Sequence, residues 1–410
     1  MGRIILYEDK ADCCGCGSCL NICPKNAIEM KEDEYGFLYP YIDTDLCIEC
    51  GQCKRVCSYQ NEKDVLHKPL QVSAAMGVDR EMVNKSASGG IFAAVAQKVI
   101  EKGGVVYGCA FLNKDGVICP EHVRIDNVNE LYKLQGSKYV QSIIGNTYKK
   151  VKSDLRSGKK TIFSGTPCQV AALKGYLGKM DQSNLFTIDI ICHGTPGASF
   201  FQAYIKEVEK KIKGTVIDFR FRDKTGGWGL KGAVIYLDRS KKTKKKLLPV
   251  QLSSYYSLFL NSEIYRETCY SCKYAGEYRP GDITIGDYWG FEEEYPKLLV
   301  ENGGRFDRTM GISCVLVNTD KGMEWLEELK PEIEYAPSSF EKAAKRNSQL
   351  RTPSTHTEIR EKVLSLYSDA GYAAVDNWYY NRLGYKKHIY EIWNLIPRKL
   401  QVLIKNISKT

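Results

Sequence analysis

CCGCGSCLNICPKNAIEM occupies residues 13–30, and CIECGQCKRVC follows at residues 47–57. The two runs contain nine cysteines, and eight of them repeat one spacing, C-x2-C-x2-C-x3-C. Cys14 fits no position of the repeat, and its only evident role is that of a small side chain near the others. The eight are Cys13, Cys16, Cys19 and Cys23 in the first run and Cys47, Cys50, Cys53 and Cys57 in the second.

The repeated spacing predicts two [4Fe-4S] clusters, because three close thiolates surround one cubane while the fourth, on a short helix, reaches the neighbouring cubane. Zinc is the alternative, since C-x2-C pairs also make zinc sites, but zinc fingers use four ligands in two pairs rather than two duplicated quartets. One cluster is assigned to Cys13, Cys16, Cys19 and Cys57. The other is assigned to Cys47, Cys50, Cys53 and Cys23.

Residues 5–60 resemble a bacterial dicluster ferredoxin. The resemblance includes NAIEM after the first cysteine run and EYGFLYPYID between the runs, which is typical of a β-hairpin. It departs at Ser58, where the last cysteine is often followed by proline, and this change removes no ligand. We therefore expect a dicluster ferredoxin-type domain over residues 1–62.

Length and composition limit the other classes of protein. A chain of 410 residues predicts two or three domains, so its 16 cysteines are not those of a small disulfide scaffold. The opening MGRIILYEDK lacks a secretion signal and no uncharged apolar run could span a membrane, which predicts a cytoplasmic protein. The net charge of +10 is partly concentrated in KKTKKK at 241–246, interpreted as a solvated hairpin loop, and we expect no nucleic-acid partner.

Beyond residue 70 the apolar pattern alternates between strand and helix. QVSAAMGV, IFAAVAQKVIEK and VVYGCAF read as a β-loop-α-β unit. The loop SASGG at 86–90 offers hydroxyls, two glycines and a helix N-terminus, which favour an anion such as a nucleotide phosphate. A capped, tightly packed helix explains the same residues equally well, because the loop is neither a P-loop nor a G-x-G-x-x-G fingerprint.

A second unit begins at KTIFSGTPCQVAALKGYL and continues in the strand LFTIDIICHG. If its strands are parallel neighbours, Cys168 and Cys192 lie at the sheet edge where α/β proteins bind ligands. Cys269 and Cys272 form a C-x2-C knuckle before GDITIGDYWG, so the four thiols are candidates for one further site. The alternatives are buried small side chains or a thiol enzyme for the first two cysteines, and loop hydrogen bonding for His193. Three cysteines in strand-like segments are interpreted as structural, namely Cys109, Cys119 and Cys314.

Six motifs occur in the order SASGG, GSKYVQS, GTPCQVAAL, CHGTP, C-x2-C and GDITIGDYWG. Together they resemble the coenzyme F420 hydrogenase/dehydrogenase beta-subunit family over residues 5–335, here with a ferredoxin domain attached. The resemblance implies a flavoprotein, usually with FAD, that passes electrons between iron–sulfur clusters and an organic acceptor. By motif it implies that the flavin nucleotide contacts Ser86, Ser88, Gly89, Gly90, Lys138, Tyr139 and Gln141. It also implies a third [4Fe-4S] cluster, held by Cys168, Cys192, Cys269 and Cys272.

The predicted fold class is therefore α+β and α/β, with a bacterial dicluster ferredoxin fold followed by a mixed α/β flavin-binding body. The expected domains are the ferredoxin at 1–62, the N-terminal and C-terminal regions of the beta-subunit family at 70–155 and 156–335, and a helical extension at 336–410. The end of this extension interleaves apolar residues with Lys and Arg. Packing against the body is the preferred interpretation, with docking to an acidic partner or peripheral contact with a membrane surface as the alternative.

The predicted function is a flavin-dependent iron–sulfur oxidoreductase that relays electrons between [4Fe-4S] clusters and an organic substrate, with coenzyme F420 as one candidate. A flavin suits this relay because it exchanges single electrons with clusters and a hydride with organic molecules. The expected partners are ferredoxin or another redox protein and a small-molecule acceptor. The alternative is a non-catalytic electron-transfer subunit of a larger redox complex. A redox-sensing or nucleic-acid-binding regulator would account for the charge and the cysteine count but for none of the ordered motifs.

Overall fold

The computed structural model describes residues 4–61 and 65–396. The strands of the described residues are β1 Ile28–Glu32, β2 Leu38–Ile42, β3 Gln71–Gly77, β4 Val105–Lys114, β5 Val117–Ile125, β6 Thr161–Gly165, β7 Leu185–Ile190, β8 Thr215–Arg220, β9 Lys231–Leu237, β10 Thr243–Pro249, β11 Ile283–Asp287, β12 Ser313–Val317 and β13 Ile333–Ser338. Their α-helices are α1 Ser18–Ile22, α2 Gln52–Val56, α3 Arg80–Lys85, α4 Ile91–Glu101, α5 Thr147–Arg156, α6 Pro167–Leu177, α7 Ala198–Ile212, α8 Ser254–Leu260, α9 Phe291–Glu294, α10 Asp320–Leu329, α11 Phe340–Lys345, α12 Glu358–Ala370, α13 Tyr372–Leu383 and α14 Lys386–Leu395.

The N-terminal unit contains one short helix in each cysteine run, and each helix includes the third cysteine of the repeat, Cys19 or Cys53. Helix α1 follows Gly17 and helix α2 follows Gly51, and both glycines have a left-handed backbone, with φ of 72° and 69°. Glycine adopts this conformation without steric cost, so both halves of the repeat turn into their helix in the same way. The predicted hairpin between the cysteine runs is confirmed, because β1 and β2 pair antiparallel.

An eight-stranded sheet forms the centre of the body, in the order β13-β3-β12-β11-β7-β6-β4-β5. Its inner strands β11, β7, β6 and β4 are parallel, and the remaining pairs are antiparallel. The predicted parallel pairing of the strands before Cys168 and Cys192 is confirmed, with Thr161 opposite Leu185. The predicted strands β3 and β4 are present but not adjacent, because β12, β11, β7 and β6 lie between them.

Helices cover both faces of this sheet, and one face also carries the ferredoxin unit. On one face Val95 and Val99 of α4 pack against Val106 of β4. The neighbouring strand residues Val105 and Tyr107 point to the other face, since side chains alternate along a strand. There they belong to the same core as α5, α6 and the ferredoxin residues Val56 and Tyr59. The ferredoxin unit is therefore packed into the body rather than tethered beside it.

A smaller antiparallel sheet, β10-β9-β8, packs with α7, α8, α12 and α13 into an aromatic core. The lysine-rich segment predicted as a hairpin loop lies mostly in its edge strand. The turn is at residues 238–242, whereas Lys244, Lys245 and Lys246 belong to β10 and are exposed. The loop prediction was wrong for these three lysines, because an edge strand can keep charged side chains in solvent, where they also discourage pairing with another chain.

The main sheet contains strands from both regions expected at 70–155 and 156–335, and its last strand, β13, ends at Ser338. The extension beyond it is helical as far as the structure describes it, and the domain boundaries stay predictions. Part of the tail pattern lies outside the described residues. No helix among residues 4–61 and 65–396 is long and apolar enough to cross a membrane.

Candidate iron–sulfur and cofactor sites

The structure brings together the four thiols assigned to the first cluster. The pKa of Cys19 is raised well above its usual range by burial and by the neighbouring thiols Cys16, Cys13 and Cys57. Cys57 comes directly after α2, so this short helix carries the fourth thiol from the second cysteine run to the first group. We call Cys13, Cys16, Cys19 and Cys57 the first thiol group.

The four thiols assigned to the second cluster line one pocket. Its wall also contains Ile28 and Ile42, so it is a largely apolar chamber between the hairpin and the second cysteine run. Cys23 ends α1, and its sulfur accepts a hydrogen bond of 3.3 Å from the Ala27 N–H. Such N–H···S bonds are among the features that set the potential of a cluster. We call Cys23, Cys47, Cys50 and Cys53 the second thiol group.

The spacing of the sulfurs fits a cubane better than a single ion. In a tetrahedral Zn–S₄ site with bonds near 2.3 Å, neighbouring sulfurs lie about 3.8 Å apart. Within the described parts of the chain, no three cysteine sulfurs lie within 4.8 Å of one another. No three of these sulfurs are therefore as close together as in a tetrahedral zinc site, whereas a four-iron cluster holds its thiolates farther apart.

A third thiol group, Cys168, Cys192, Cys269 and Cys272, lies at the carboxyl edge of the parallel strands. Burial raises the pKa of Cys192 well above its usual range, as do the neighbouring thiols Cys269, Cys168 and Cys272. Hydroxyl groups lie beside two of the sulfurs, with Thr166 Oγ1 3.1 Å from Cys168 Sγ and Thr195 Oγ1 4.0 Å from Cys269 Sγ. The residues predicted from strand ends and from the knuckle therefore meet in space.

Cys14 lies between the first and third thiol groups. It is buried, and hydrogen bonds with the thiols of Cys16 and Cys168 raise its pKa well above the usual range. The Cys14 thiol thus contacts both Cys16, a predicted cluster ligand in the ferredoxin unit, and Cys168, a predicted cluster ligand in the body. No sequence signal indicated this role, because Cys14 lies outside the repeat and Cys168 is far away along the chain.

The SASGG loop uses most of its polar groups within the protein. Ser86 Oγ donates to Met82 O at 2.9 Å, Ser88 Oγ donates to Ile312 O at 3.0 Å, and the Gly89 N–H donates to Ser313 Oγ at 3.0 Å. Gly90 precedes α4 with φ of 83°, and no side chain caps the helix. The N–H groups of the first turn of α4 therefore remain the part of this loop that could hold a phosphate.

Gly89 is required for packing. A Cβ atom at this position would lie 2.5 Å from Ala75 O and 2.9 Å from Ser313 N. We expect Gly89→Ala to lower the free energy of unfolding by about 1–3 kcal/mol through this overlap, measured by urea denaturation. Gly108→Ala is the control, since its added Cβ meets Leu134 at an ordinary 3.4 Å. Equal stability losses in the two variants would contradict this explanation.

The remaining flavin contacts predicted from the family lie in two places. Lys138 donates to Gln135 O at 2.8 Å, and Gln135 Nε2 donates to Ser86 Oγ at 3.3 Å, which ties Lys138 to the SASGG loop. Tyr139 OH accepts a hydrogen bond of 3.2 Å from Arg222 Nη1. Gln141 instead lies against the ferredoxin unit, where its Nε2 donates to Cys14 O at 3.0 Å.

Arg222 and Asp287 form the centre of a cluster of charged and aromatic side chains that the sequence did not predict, and we call it the Arg222 cluster. Their ion pair measures 2.6 Å, and Asp287 also accepts a hydrogen bond of 3.2 Å from Trp228 Nε1. The Arg222 guanidinium lies over the rings of Trp228 and Trp289, at 5.1 and 5.4 Å from their centroids. Although buried, its Nη2 has no hydrogen-bond partner among the described residues. A buried donor without a partner is rare and suits a group that a ligand completes.

Two further side chains lie near the Arg222 cluster. Lys224 Nζ donates to Ser88 O at 2.8 Å and to Val83 O at 2.6 Å, and burial lowers its pKa to about 7. His193, directly after Cys192, lies near Asp287 and Arg222, and desolvation by the surrounding protein lowers its pKa. Lys224 and His193 thus connect the Arg222 cluster to the SASGG loop and to the third thiol group.

Comparisons with known proteins support the iron–sulfur assignment. Among curated proteins, the chain is 48% identical over 40 residues to a 7Fe ferredoxin from Hydrogenibacillus schlegelii, which covers 10% of this chain and 45% of that protein. It is 39% identical over 52 residues to an uncharacterized ferredoxin from Methanocaldococcus jannaschii, which covers 13% of this chain and 66% of that protein. The match therefore spans about half to two thirds of these ferredoxins.

Among solved structures, the chain superposes with a TM-score of 0.45 and 18% identity on a chain of the F420-reducing [NiFe] hydrogenase complex from Methanosarcina barkeri, over 75% of this chain and 96% of that one. Residues 12–61 match the family described as "4Fe-4S dicluster domain". Residues 158–341 match the family that describes the C-terminal part of the beta subunit of coenzyme F420 hydrogenase/dehydrogenase. The chain therefore contains, at residues 158–341, a region that matches the C-terminal part of the coenzyme F420 hydrogenase/dehydrogenase beta-subunit family, an oxidoreductase-type family, and at residues 12–61 a 4Fe-4S dicluster domain.

Proposed function

We propose that this chain is a flavin-dependent iron–sulfur oxidoreductase that relays electrons through two ferredoxin-type clusters and a third [4Fe-4S] cluster to FAD and an organic acceptor. The observation that carries the proposal is that the predicted cluster sites lie next to one another. Cys14 contacts Cys16 of the first thiol group and Cys168 of the third. Cys192 of the third group is followed directly by His193, which lies near Asp287 and Arg222 of the Arg222 cluster. Electron transfer weakens steeply with distance, so adjacent sites of this kind suit a relay.

The chemistry of the Arg222 cluster fits a flavin. The rings of Trp228 and Trp289 offer flat apolar surfaces, and the positive charge of Arg222 beside them suits the negative ring of a reduced flavin. Lys224 lies beside the uncapped start of α4, where the N–H groups and the helix dipole favour phosphate. A bound flavin would supply the exchange between single electrons and a hydride.

The chain itself would hold and orient these groups. Twelve cysteines would provide thiolates for three clusters, as three quartets. The Asp287 carboxylate fixes the Arg222 guanidinium through Nη1, and the buried Nη2 is left without a hydrogen-bond partner within the described chain. The matched beta-subunit family supports a protein partner, and we propose ferredoxin or another redox protein as that partner, with a small organic acceptor or coenzyme F420 as substrate.

Arg222→Gln tests the flavin site. We expect it to weaken FAD retention about 10-fold to 100-fold, because hydrogen bonds to a charged group contribute about 1.5–3 kcal/mol. Arg220→Gln is the matched control, since Arg220 is exposed at the end of β8, two residues before Arg222, and pairs only with Asp218 within the described chain. Flavin fluorescence after gel filtration gives the bound fraction, and unchanged iron content shows that the fold is intact. Equal FAD retention in both variants would mean that the flavin binds at a site that does not include Arg222.

The proposal as a whole is tested on the anaerobically purified full chain. We expect a flavin absorption band that reduced ferredoxin bleaches and that an organic acceptor restores. A protein that contains iron and sulfide but neither retains nor binds added FAD would contradict the flavin-dependent function and would favour the alternative, a non-catalytic electron-transfer subunit.

A further inference from the structure

Arg266 is a buried cation at the junction between the ferredoxin unit and the body, and within the described residues it has no acidic partner. Its side chain is 1% exposed. Four arginines of the described chain are buried, and three of them pair with carboxylates, namely Arg222 with Asp287, Arg279 with Asp189, and Arg360 with Glu267. No carboxylate in residues 4–61 and 65–396 lies within ion-pair distance of Arg266.

The hydrogen bonds of Arg266 go to neutral groups around the first thiol group. Nη1 donates to Cys13 O at 3.0 Å, Nη2 donates to Leu38 O, and Nε donates to Gln141 Oε1 at 3.2 Å. Its guanidinium lies 4.3 Å from the ring centroid of Tyr39. These contacts fix the position of the guanidinium but bring no negative charge. A buried positive charge is unfavourable unless a negative charge lies close to it.

Arg266 is fixed equally closely to the third thiol group. The Cys269 N–H donates to Arg266 O at 3.0 Å, and the Arg266 N–H donates to Thr195 O, also at 3.0 Å. On the other side, a Cβ atom added to Gly15 would lie 2.7 Å from Arg266 Nη2, so the loop between Cys14 and Cys16 rests on the guanidinium. The same cation thus lies between two sets of predicted cluster ligands.

A cluster held by four thiolates carries net negative charge, which increases when the cluster is reduced. We infer that Arg266 is the shared counter-charge of the clusters in the first and third thiol groups, and that it raises the reduction potentials of both. This inference rests on the proposed function, because it requires the third cluster. Net charge near a cluster is one of the factors that set its reduction potential. A guanidinium that is permanently charged and removed from water has a strong effect on that potential.

The test is a redox titration of the full chain, followed by electron paramagnetic resonance, with Arg266→Gln, Arg266→Lys and Lys273→Gln. In Arg266→Gln we expect two of three cluster transitions to become at least about 10-fold less favourable, a fall of about 59 mV for one electron. The third transition, from the second thiol group, should stay in place. Arg266→Lys should restore most of the shift. Lys273→Gln is the control, because it removes an exposed positive charge next to Cys272 and should shift the potentials little.

Several outcomes would overturn the inference. These are three unmoved transitions in Arg266→Gln, an equal shift in Lys273→Gln, and an equal shift in Arg266→Lys. If Arg266→Gln loses iron, retention of iron in Arg266→Lys supports the role of charge, whereas loss in both variants shows that geometry alone matters and overturns it. Iron for only two clusters in the unaltered protein would instead contradict the proposed function.

Discussion

Replacing Cys272 with serine is expected to remove about four of about twelve iron atoms from the reconstituted protein, because one of three [4Fe-4S] clusters would lose a ligand. The structure gives the reason for choosing this residue. Cys272 ends the short helical turn Glu267–Ser271 that also contains Cys269, and both thiols face Cys168 and Cys192. Electron transfer from the ferredoxin unit to bound flavin should slow strongly in the same variant, measured by stopped-flow bleaching, while FAD stays bound.

Cys119→Ser is the matched control for this prediction. Cys119 lies in β5, and the only hydrogen-bonding contact of its sulfur within the described chain is with Gln202 Nε2 at 3.5 Å. Its substitution should leave iron content and transfer rate unchanged. If Cys272→Ser also keeps its full iron content and its rate, the third thiol group is structural and the chain has two clusters.

The second large effect is expected at Asp189, which holds the cysteine knuckle to the sheet. Asp189 is fully buried at the end of β7, and its Oδ1 lies 2.6 Å from Arg279 Nη2, while its Oδ2 accepts a hydrogen bond of 2.8 Å from the Gly281 N–H. Arg279 in turn donates to Tyr274 O, two residues after Cys272. Asp189→Asn leaves the buried Arg279 without its counter-charge, so we expect the free energy of unfolding to fall by about 3–5 kcal/mol.

Urea denaturation followed by circular dichroism measures this loss. Asp218→Asn is the control, because Asp218 forms an exposed pair with Arg220 and should change stability by less than about 0.5 kcal/mol. A loss below about 1 kcal/mol in Asp189→Asn would contradict this account. It would mean that the Arg279 charge is compensated by other groups.

The sequence predicted the features that depend on local spacing. The spacing of eight cysteines within residues 13–57 predicted the two N-terminal thiol groups, because the exchange of Cys23 and Cys57 between groups follows from the short helix that precedes each of them. The parallel strands β6 and β7 were also predictable, since a helix separates two short apolar runs. In both cases the neighbours in space are close along the chain.

The Arg222 cluster and the position of Arg266 between the ferredoxin unit and the body could not be predicted in this way. Arg222, in RFRDKTGGWG, meets Asp287 and Tyr139 only after β8 and β11 have been placed, and a single arginine in a polar loop looks like an exposed charge. Arg266 has the same ordinary appearance in the sequence, and its neighbour Cys13 lies far away along the chain, in the first cysteine run. Strand order was missed for a similar reason, since periodicity identifies β3 and β4 but not the four strands between them.

The cysteines of the third thiol group are widely separated in the chain, whereas those of the first two lie closer together, and for the three proposed clusters this difference predicts an order of assembly during synthesis. Translation from Cys57 to Cys272 takes roughly 10–40 s at ribosomal rates. During that interval all eight N-terminal cysteines are available for iron and sulfide, whereas Cys269 and Cys272, the later members of the third thiol group, have not yet been synthesised. We expect the cell to load this protein in two separate events, the first on the nascent chain and the second only after the sheet has closed.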